Sequence, residues 1–500
     1  MGMRIGKLWV LVGLVVLAGI AIAASSVVHI DKQITYNGDL LFDLETQEIN
    51  VTKLTSPQVT WNFSAGDAPT SAATVIVSKE GSYTVARWYN GTVLAKGTDS
   101  ASVIQTTIDT ISNGTVLLKC GVYNNLGSNL NLNDNIAFVG EDSFCTVLSF
   151  TSGNQLLAGN NNYIGDLTFD GGDPGPSGIV EINNKENVIV ESVRILNILN
   201  VTDGWSSAIH ITHNSRNITV RDFYINNCDR GVEVENGANK VIVEDGYISN
   251  VLAGGTSPLY AITAHGHITE GYAHDVIFRN IFLSNSAGFG TSTKSVNIIF
   301  DGIIVKNSTK FSFLSNSFQI VTNCIFDGTS GDTLLTINGG AVISNSKFIN
   351  STGFFAIKVD SGTVFISNIE VSPSLSSPSN YGLRINGGYV SVVNSYFHGL
   401  FNNYAIHVNG GTLDLYNSKI EDKGLSLDTS GNRIYGNDIE SGVTIYDSGG
   451  NFFKNNAGYH YTSQFDFPTS APSSPQTGDA YFDAATNTLY IYNGTAWVAK

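Results

Sequence analysis

Four cysteines in 500 residues are too few to staple the chain together, so a disulfide scaffold is excluded. Cys120 and Cys145 lie about one repeat apart, a spacing at which they could pair. Cys228 and Cys324 both follow a repeated Asn but stand about four repeats apart, roughly 19 Å by strand spacing and beyond the reach of a disulfide. They read as small buried hydrophobes. Basic charge is also scarce. Against 42 Asp and Glu there are 26 Lys and Arg, a net charge of −16, which argues against nucleic acid or an anionic membrane surface as partner. The acidic balance suits soluble exposure, neutral ligands or calcium. Helical periodicity is nearly absent, whereas Gly (52 residues), Asn, Ser and Thr are abundant, as short-stranded β architectures require.

What is there instead is a repeat. From about Gly178 to Asp422 one pattern returns every 22 to 35 residues. Each copy holds a short strand with a polar residue between apolar ones, as in Val180-Glu181-Ile182, Ile209-His210-Ile211, Val232-Glu233-Val234, Leu335-Thr336-Ile337, Ile357-Lys358-Val359, Leu383-Arg384-Ile385 and Ile406-His407-Val408. A second run follows, such as Asn187-Val188-Ile189-Val190 or Asn217-Ile218-Thr219-Val220, and leads to a closing Asn at 197, 227, 250, 285, 307 or 350. A fixed period of strands is the signature of a solenoid. Three short strands and three turns in about 22 residues make one coil of a parallel β-helix, with coils about 4.8 Å apart. Asn tolerates left-handed backbone, and its amide can bond the next coil's copy. Later copies end in Asn-Gly-Gly (338–340, 386–388, 409–411), tight turns that need positive φ.

Around the repeat stand smaller pieces. Arg4 and Lys7 precede an apolar run from Leu8 to Ala24, so residues 1–24 read as a secretory signal cleaved after Ala23 or as a retained membrane anchor. Either reading puts the mature chain outside the cytoplasm, secreted or at the cell surface. Residues 27–97 are expected to form a small β module. Asp99-Ser100 can cap a short helix carrying Val103, Ile104, Ile108 and Ile111 on one side, a lid for the first coil. The β-helix is expected over 99–460. A Pro/Ser-rich linker then leads to an aromatic β-hairpin within 468–500.

The chemistry-bearing residues cluster in the early coils. Stacking the copies in register puts Glu181, His210, Glu233 and Thr263 in one outward column, and Thr212, Glu235 and His265 in the next. Rungs about 4.8 Å apart allow a His–Glu acid/base pair and two carboxylates at separations relevant to glycoside hydrolysis. Neighbouring stretches carry Asp203 and Trp205, Tyr260, and Asp229-Arg230; aromatic faces suit sugar rings, and an arginine fork can hold a uronic carboxylate. The same column is also what a solvated outward face would present, as Glu191, Arg221, Glu244, Arg279 and Asp301 do by alternating sign from rung to rung. His265-Gly266-His267 aims two imidazoles one way, but no further Cys or His stands at metal spacing, so no metal is assigned there.

The helix, then Gly114-Thr115-Val116-Leu117-Leu118-Lys119-Cys120-Gly121-Val122-Tyr123, Leu130-Asn131-Leu132 and Phe138-Val139-Gly140, together resemble the opening of the pectate-lyase-like superfamily of single-stranded right-handed parallel β-helices, which includes polygalacturonases and viral tailspikes. The resemblance implies an all-β solenoid to about residue 460 and a carbohydrate partner, with trimers frequent among the tailspikes. Polygalacturonase-like members carry N-T-D, D-D, G-H-G and R-I-K. Here Asn200-Val201-Thr202-Asp203-Gly204 interrupts the first, Cys228-Asp229-Arg230-Gly231 has one Asp for two, His265-Gly266-His267 inverts the third, and no R-I-K follows. The R-x-P-x-x-R segment of calcium-dependent pectate lyases is missing. No family catalytic set transfers, and calcium stays a candidate cofactor only through the acidic balance.

The expectation is therefore an exported β-helix that engages a polysaccharide or surface glycan along its first-strand face. As a hydrolase or lyase it would use Glu233 as acid or base, Asp229 or Glu235 as second carboxylate, and His210 and His265 in proton transfer. Glu181, Asp203, Trp205, Arg230, Tyr260 and His267 would contact substrate. The alternative is a non-catalytic surface or fibre adhesin.

Overall fold

A computed structural model describes residues 75–457 apart from 176, 200–205, 252–259, 267–270, 292–294, 309–311, 316–317, 330–332, 375–377, 422 and 441–442, together with strands within 27–43 and residues 480–499 apart from 484–487. The chain divides into two units, residues 1–71 and 72–500. The expected signal or anchor lies outside the described residues. Among the described residues, no helix is long and apolar enough to cross a membrane.

In the first unit the strands Val27–Ile30, Gln33–Tyr36 and Asp39–Asp43 form an antiparallel sheet. In the second, successive coils stack into a right-handed parallel β-helix. Coils give one strand each to a 14-stranded sheet, from Leu130–Asn131 to Ile445–Asp447, and to a 29-stranded sheet either a pair of short strands or one long strand such as Arg216–Asn226, Asn239–Ser249 or Ala273–Ser284. Near the carboxyl end, Ala480–Asp483, Thr488–Tyr492 and Trp497–Ala499 make a separate antiparallel sheet, one strand more than the expected hairpin.

The sequence groups residues 75–97 with the preceding module. Instead, Val75–Glu80 lies parallel to Gly114–Leu118 and pairs antiparallel with Tyr83–Trp88, so these strands extend the solenoid's own sheet. The helix Ser100–Thr110 packs beside them, its first turn capped by Asp99, whose side chain accepts from Ala101 N at 3.0 Å. Val103, Ile104 and Ile108 are buried, as is Ile111 just beyond the last turn, and this apolar face closes the first coil.

The three corners of a coil are left-handed. Residues 135, 161, 187, 217, 240, 275 and 297 form one such column, and 166, 192, 222, 245, 280, 302 and 323 a second. The third is 197, 227, 250, 285 and 307, all with φ between 47° and 67°. Asn and Asp dominate because their short polar side chains offset the strain of that conformation. Side-chain amides bond from rung to rung, as in Asn161 to Asn135 (2.9 Å), Asn187 to Asn161 (2.9 Å) and Asn227 to Asn197 (2.7 Å). Gly388 and Gly411 turn at φ 82° and 72°, and a Cβ on Gly388 would stand 2.2 Å from Gly362 O, so only glycine fits there.

Inside, apolar residues stack in files, with Phe278 on Phe300 at 5.2 Å and Phe326 on Phe348 at 4.6 Å. Cys120 and Cys145, each one residue before the paired Gly121 and Thr146, form a disulfide. Cys228 and Cys324 are free and buried, and burial pushes both thiols up to about 12. Both follow a left-handed Asn, but the two do not share a corner. Cys228 follows Asn227 in the third left-handed column and Cys324 follows Asn323 in the second. Two Asn columns of the same chemistry look alike in sequence.

Candidate functional site

The strands Gly178–Asn183, Ser207–Thr212, Arg230–Glu235 and Ile262–His265 are consecutive rungs of the 14-stranded sheet. Their alternation sends Val180, Ile209, Val232 and Ile262 into the core and leaves the intervening polar residues on the outer face. Register pairs Glu181 with His210, His210 with Glu233, Glu233 with Thr263, and Glu235 with His265.

These side chains bond both across and diagonally between rungs. His210 Nδ1 meets Glu181 Oε2 at 2.8 Å and its Nε2 meets Glu235 Oε1 at 2.9 Å. His265 Nε2 lies 2.7 Å from Glu233 Oε1 and 3.3 Å from Glu235 Oε2. Arg230 pairs with Glu233 from three residues before it on the same strand. Sequence reasoning overlooked several supporting donors. Ser207 Oγ donates to Glu233 Oε2 (2.6 Å), Gly178 N to Glu181 Oε2 (3.0 Å) and Asn236 Nδ2 to Glu235 Oε1 (2.9 Å). Ser207 stands opposite Arg230 in the register, which is the signal that would have found it. Gly178 is needed for close approach, since a Cβ there would meet His210 N at 2.6 Å.

Burial gives the network its character. Glu181, His210, Glu233 and Arg230 are all buried, and the side chains that reach the surface are those of His265 (26% exposed) and Glu235 (16%). Burial alone would raise the Glu233 carboxyl. The hydrogen bond from His265 and the charges of Arg230 and His210 outweigh it and hold the group far below the ordinary carboxylate range. For His210 burial favours the neutral ring, but hydrogen bonds to Glu181 and Glu235 prevail and push it up to about 10. Burial likewise opposes ionisation of Glu235, and its bond to His210 more than reverses that. The core of the site is thus His210 held between Glu181 and Glu235, beside a Glu233 clasped by arginine and imidazole, with His210 and Glu233 both shifted toward their charged forms.

Arg230 is committed to Glu233, so its expected part as a clamp on substrate competes with an internal ion pair. Asp229 is buried just ahead of the same strand, where its backbone N–H donates to Ile198 O at 3.0 Å. Tyr260 lies half-buried with its ring against Gly290, the column's next rung after Thr263, and burial pushes its hydroxyl well above the usual range. Asp203, Trp205 and His267 lie outside the described residues. Carboxylate oxygens of Glu233 and Glu235 and a nitrogen of His265 lie within 4.8 Å of one another, close enough to share a cation. Arg230 on the same Glu233 oxygen opposes a metal there. On the 29-stranded sheet, Glu191, Arg221, Glu244, Arg279 and Asp301 fall in register as the expected ladder, with Arg221 2.9 Å from Glu191 and Arg279 paired to Glu244.

No protein-family model and no curated protein matches the chain. Solved structures do. The catalytic unit of a thermostable GH87 alpha-1,3-glucanase from Streptomyces thermodiastaticus is 15% identical over 72% of this chain and 66% of its own, with a TM-score of 0.47. The catalytic domain of a GH87 alpha-1,3-glucanase in complex with nigerose is 15% identical over 79% and 70%, at 0.41. Bacteriophage CBA120 tailspike protein 3 is 12% identical over 81% and 66%, at 0.44. The likeness is one of fold.

Proposed function

We propose that the chain is an exported β-helix protein that engages a polysaccharide across the outer face of the 14-stranded sheet, and that it acts there as a hydrolase or lyase. The observation that supports this reading is the imidazole of His265, partly exposed, with Nε2 held 2.7 Å from a buried Glu233 that stays ionised. An imidazole fixed by a carboxylate can accept or deliver a proton at a substrate oxygen or carbon. Glu235, the other accessible group, supplies the second carboxylate. Glu233, His210, Glu181 and Arg230 stand behind these two and orient them.

A second reading follows from the same burial. Every charge of the network is answered inside the protein, which is what a non-catalytic fibre or surface adhesin would need. Reducing-end and unsaturated-uronide assays over a polysaccharide panel separate the two. Wild type should cleave at least one polymer, and Glu235→Gln and His265→Gln should each lose activity by about 100-fold or more while the fold persists by circular dichroism. Cleavage unaffected by both substitutions removes the site. Binding without cleavage of any polymer establishes the adhesin.

A further inference from the structure

The column that carries Glu181 and Glu233 continues beyond Thr263 through Gly290, Phe313 and Thr336 to Lys358, Arg384 and His407, each paired in register with the next. Its sign reverses along the way. At the far end two full cations, Lys358 and Arg384, stand directly opposite each other on adjacent rungs, an arrangement that costs stability. Beside them the rings of Phe355, Tyr381 and Tyr404 stack at 5.5 and 6.4 Å. The Arg384 guanidinium lies 5.2 and 5.4 Å from the first two ring centroids, and His407 stacks on Tyr381 at 5.1 Å. Along the opposite flank run hydrogen-bonding groups: Asp360 takes Lys358 at 2.8 Å, Asn386 takes Arg384 Nε at 2.9 Å, and Asp428 meets His407 Nε2 at 2.9 Å. Arg384 forms no ion pair among the described residues: its Nε donates to the neutral Asn386, and no carboxylate pairs with its charge there.

We propose that this end of the column is a second carbohydrate site and that it takes an acidic sugar, with the carboxylate on the Arg384 fork and the ring against the Tyr381–Tyr404 stack. Aromatic faces suit sugar rings, and a guanidinium matches a carboxylate in bidentate fashion. An anion at this point also relieves the repulsion between Lys358 and Arg384. The inference rests on the reading that the sheet takes a polysaccharide and adds where an acidic one is held, several rungs from His265.

Affinity electrophoresis of the full chain through gels containing polygalacturonate or neutral dextran tests it. Wild type should be retarded by polygalacturonate, Arg384→Ala should weaken that retardation at least about tenfold, and Arg384→Lys should weaken it less because charge survives while the fork is lost. Migration in dextran should be the same for all three. Lys347→Ala, on the 29-stranded sheet, should keep its polygalacturonate affinity, which shows that removing any one cation is not enough. Loss of uronate affinity in the Arg384 variants with no cleavage by any form leaves this site standing and sinks the catalytic reading. Unchanged uronate affinity in Arg384→Ala, or a wild type that polygalacturonate does not retard, overturns the proposal.

Discussion

At the Glu181 end of the outward column, charges bond one another from rung to rung. At the Lys358 end, Lys358 and Arg384 each bond a residue two places along their own strand, and only His407 reaches to the next. The backbone geometry is the same in both places. The difference lies in sign and burial: mixed acids and imidazoles can satisfy one another, whereas adjacent like charges cannot and must turn to flanking groups. One end is therefore a locked network and the other a row of separate pairs. A locked network resists loss of any member, and a row of pairs leaves room for a ligand.

The sharpest way to break this comparison is to remove the centre of the network. Glu233→Ala removes the carboxylate that both the buried Arg230 and His265 pair with, and loss of one member of a buried pair costs about 3–5 kcal/mol. Denaturant unfolding followed by circular dichroism should show a loss of that order. A change below about 1 kcal/mol would mean the network is solvated and the contrast with the other end false.

Next in size is a dependence on pH. The ordinary value for His210 is 6.5 and the fold raises it to about 10, so its contribution is complete below 6.5 and is lost as pH rises through 10. Glu233 is depressed, so its contribution is complete above 4.5 and fades as pH falls below that. Stability from the network should peak between these limits and decline by an amount on the order of a few kcal/mol toward alkaline pH. Melting temperatures of wild type and His210→Gln from pH 5.5 to 9.5 check it: the alkaline decline should flatten in the variant. Parallel profiles would mean that His210 is neutral in the folded chain.

Much of this architecture is written in the sequence, because a solenoid converts linear period into spatial neighbourhood. Once the copies were aligned on Val180, Ile209 and Val232, the columns Glu181–His210–Glu233–Thr263 and Glu235–His265 followed, and the register holds them. What alignment does not carry is depth. An outward position in a solenoid is ordinarily wet, and nothing in Val232-Glu233-Val234 says that its carboxylate is buried. Nor does spacing along one strand reveal a diagonal bond such as His210 to Glu235. The basic end escaped for a different reason. Lys358, Arg384 and His407 each look like ordinary surface polarity, and only continuing the column past Thr263, with Phe355, Tyr381 and Tyr404 beside it, shows two cations facing each other.

The smallest expected effect is the most discriminating, because it asks whether the basic end has anything to lose in the absence of ligand. Arg384→Met keeps apolar length against Phe355 and Tyr381, forfeits cation–π contacts of about 0.5–1 kcal/mol and removes the repulsion from Lys358. These terms oppose each other, so unfolding free energy should change by less than about 1 kcal/mol. A loss as large as that of Glu233→Ala would show that Arg384 belongs to a structural network of its own, and its fork would then be no more available to a ligand than that of Arg230.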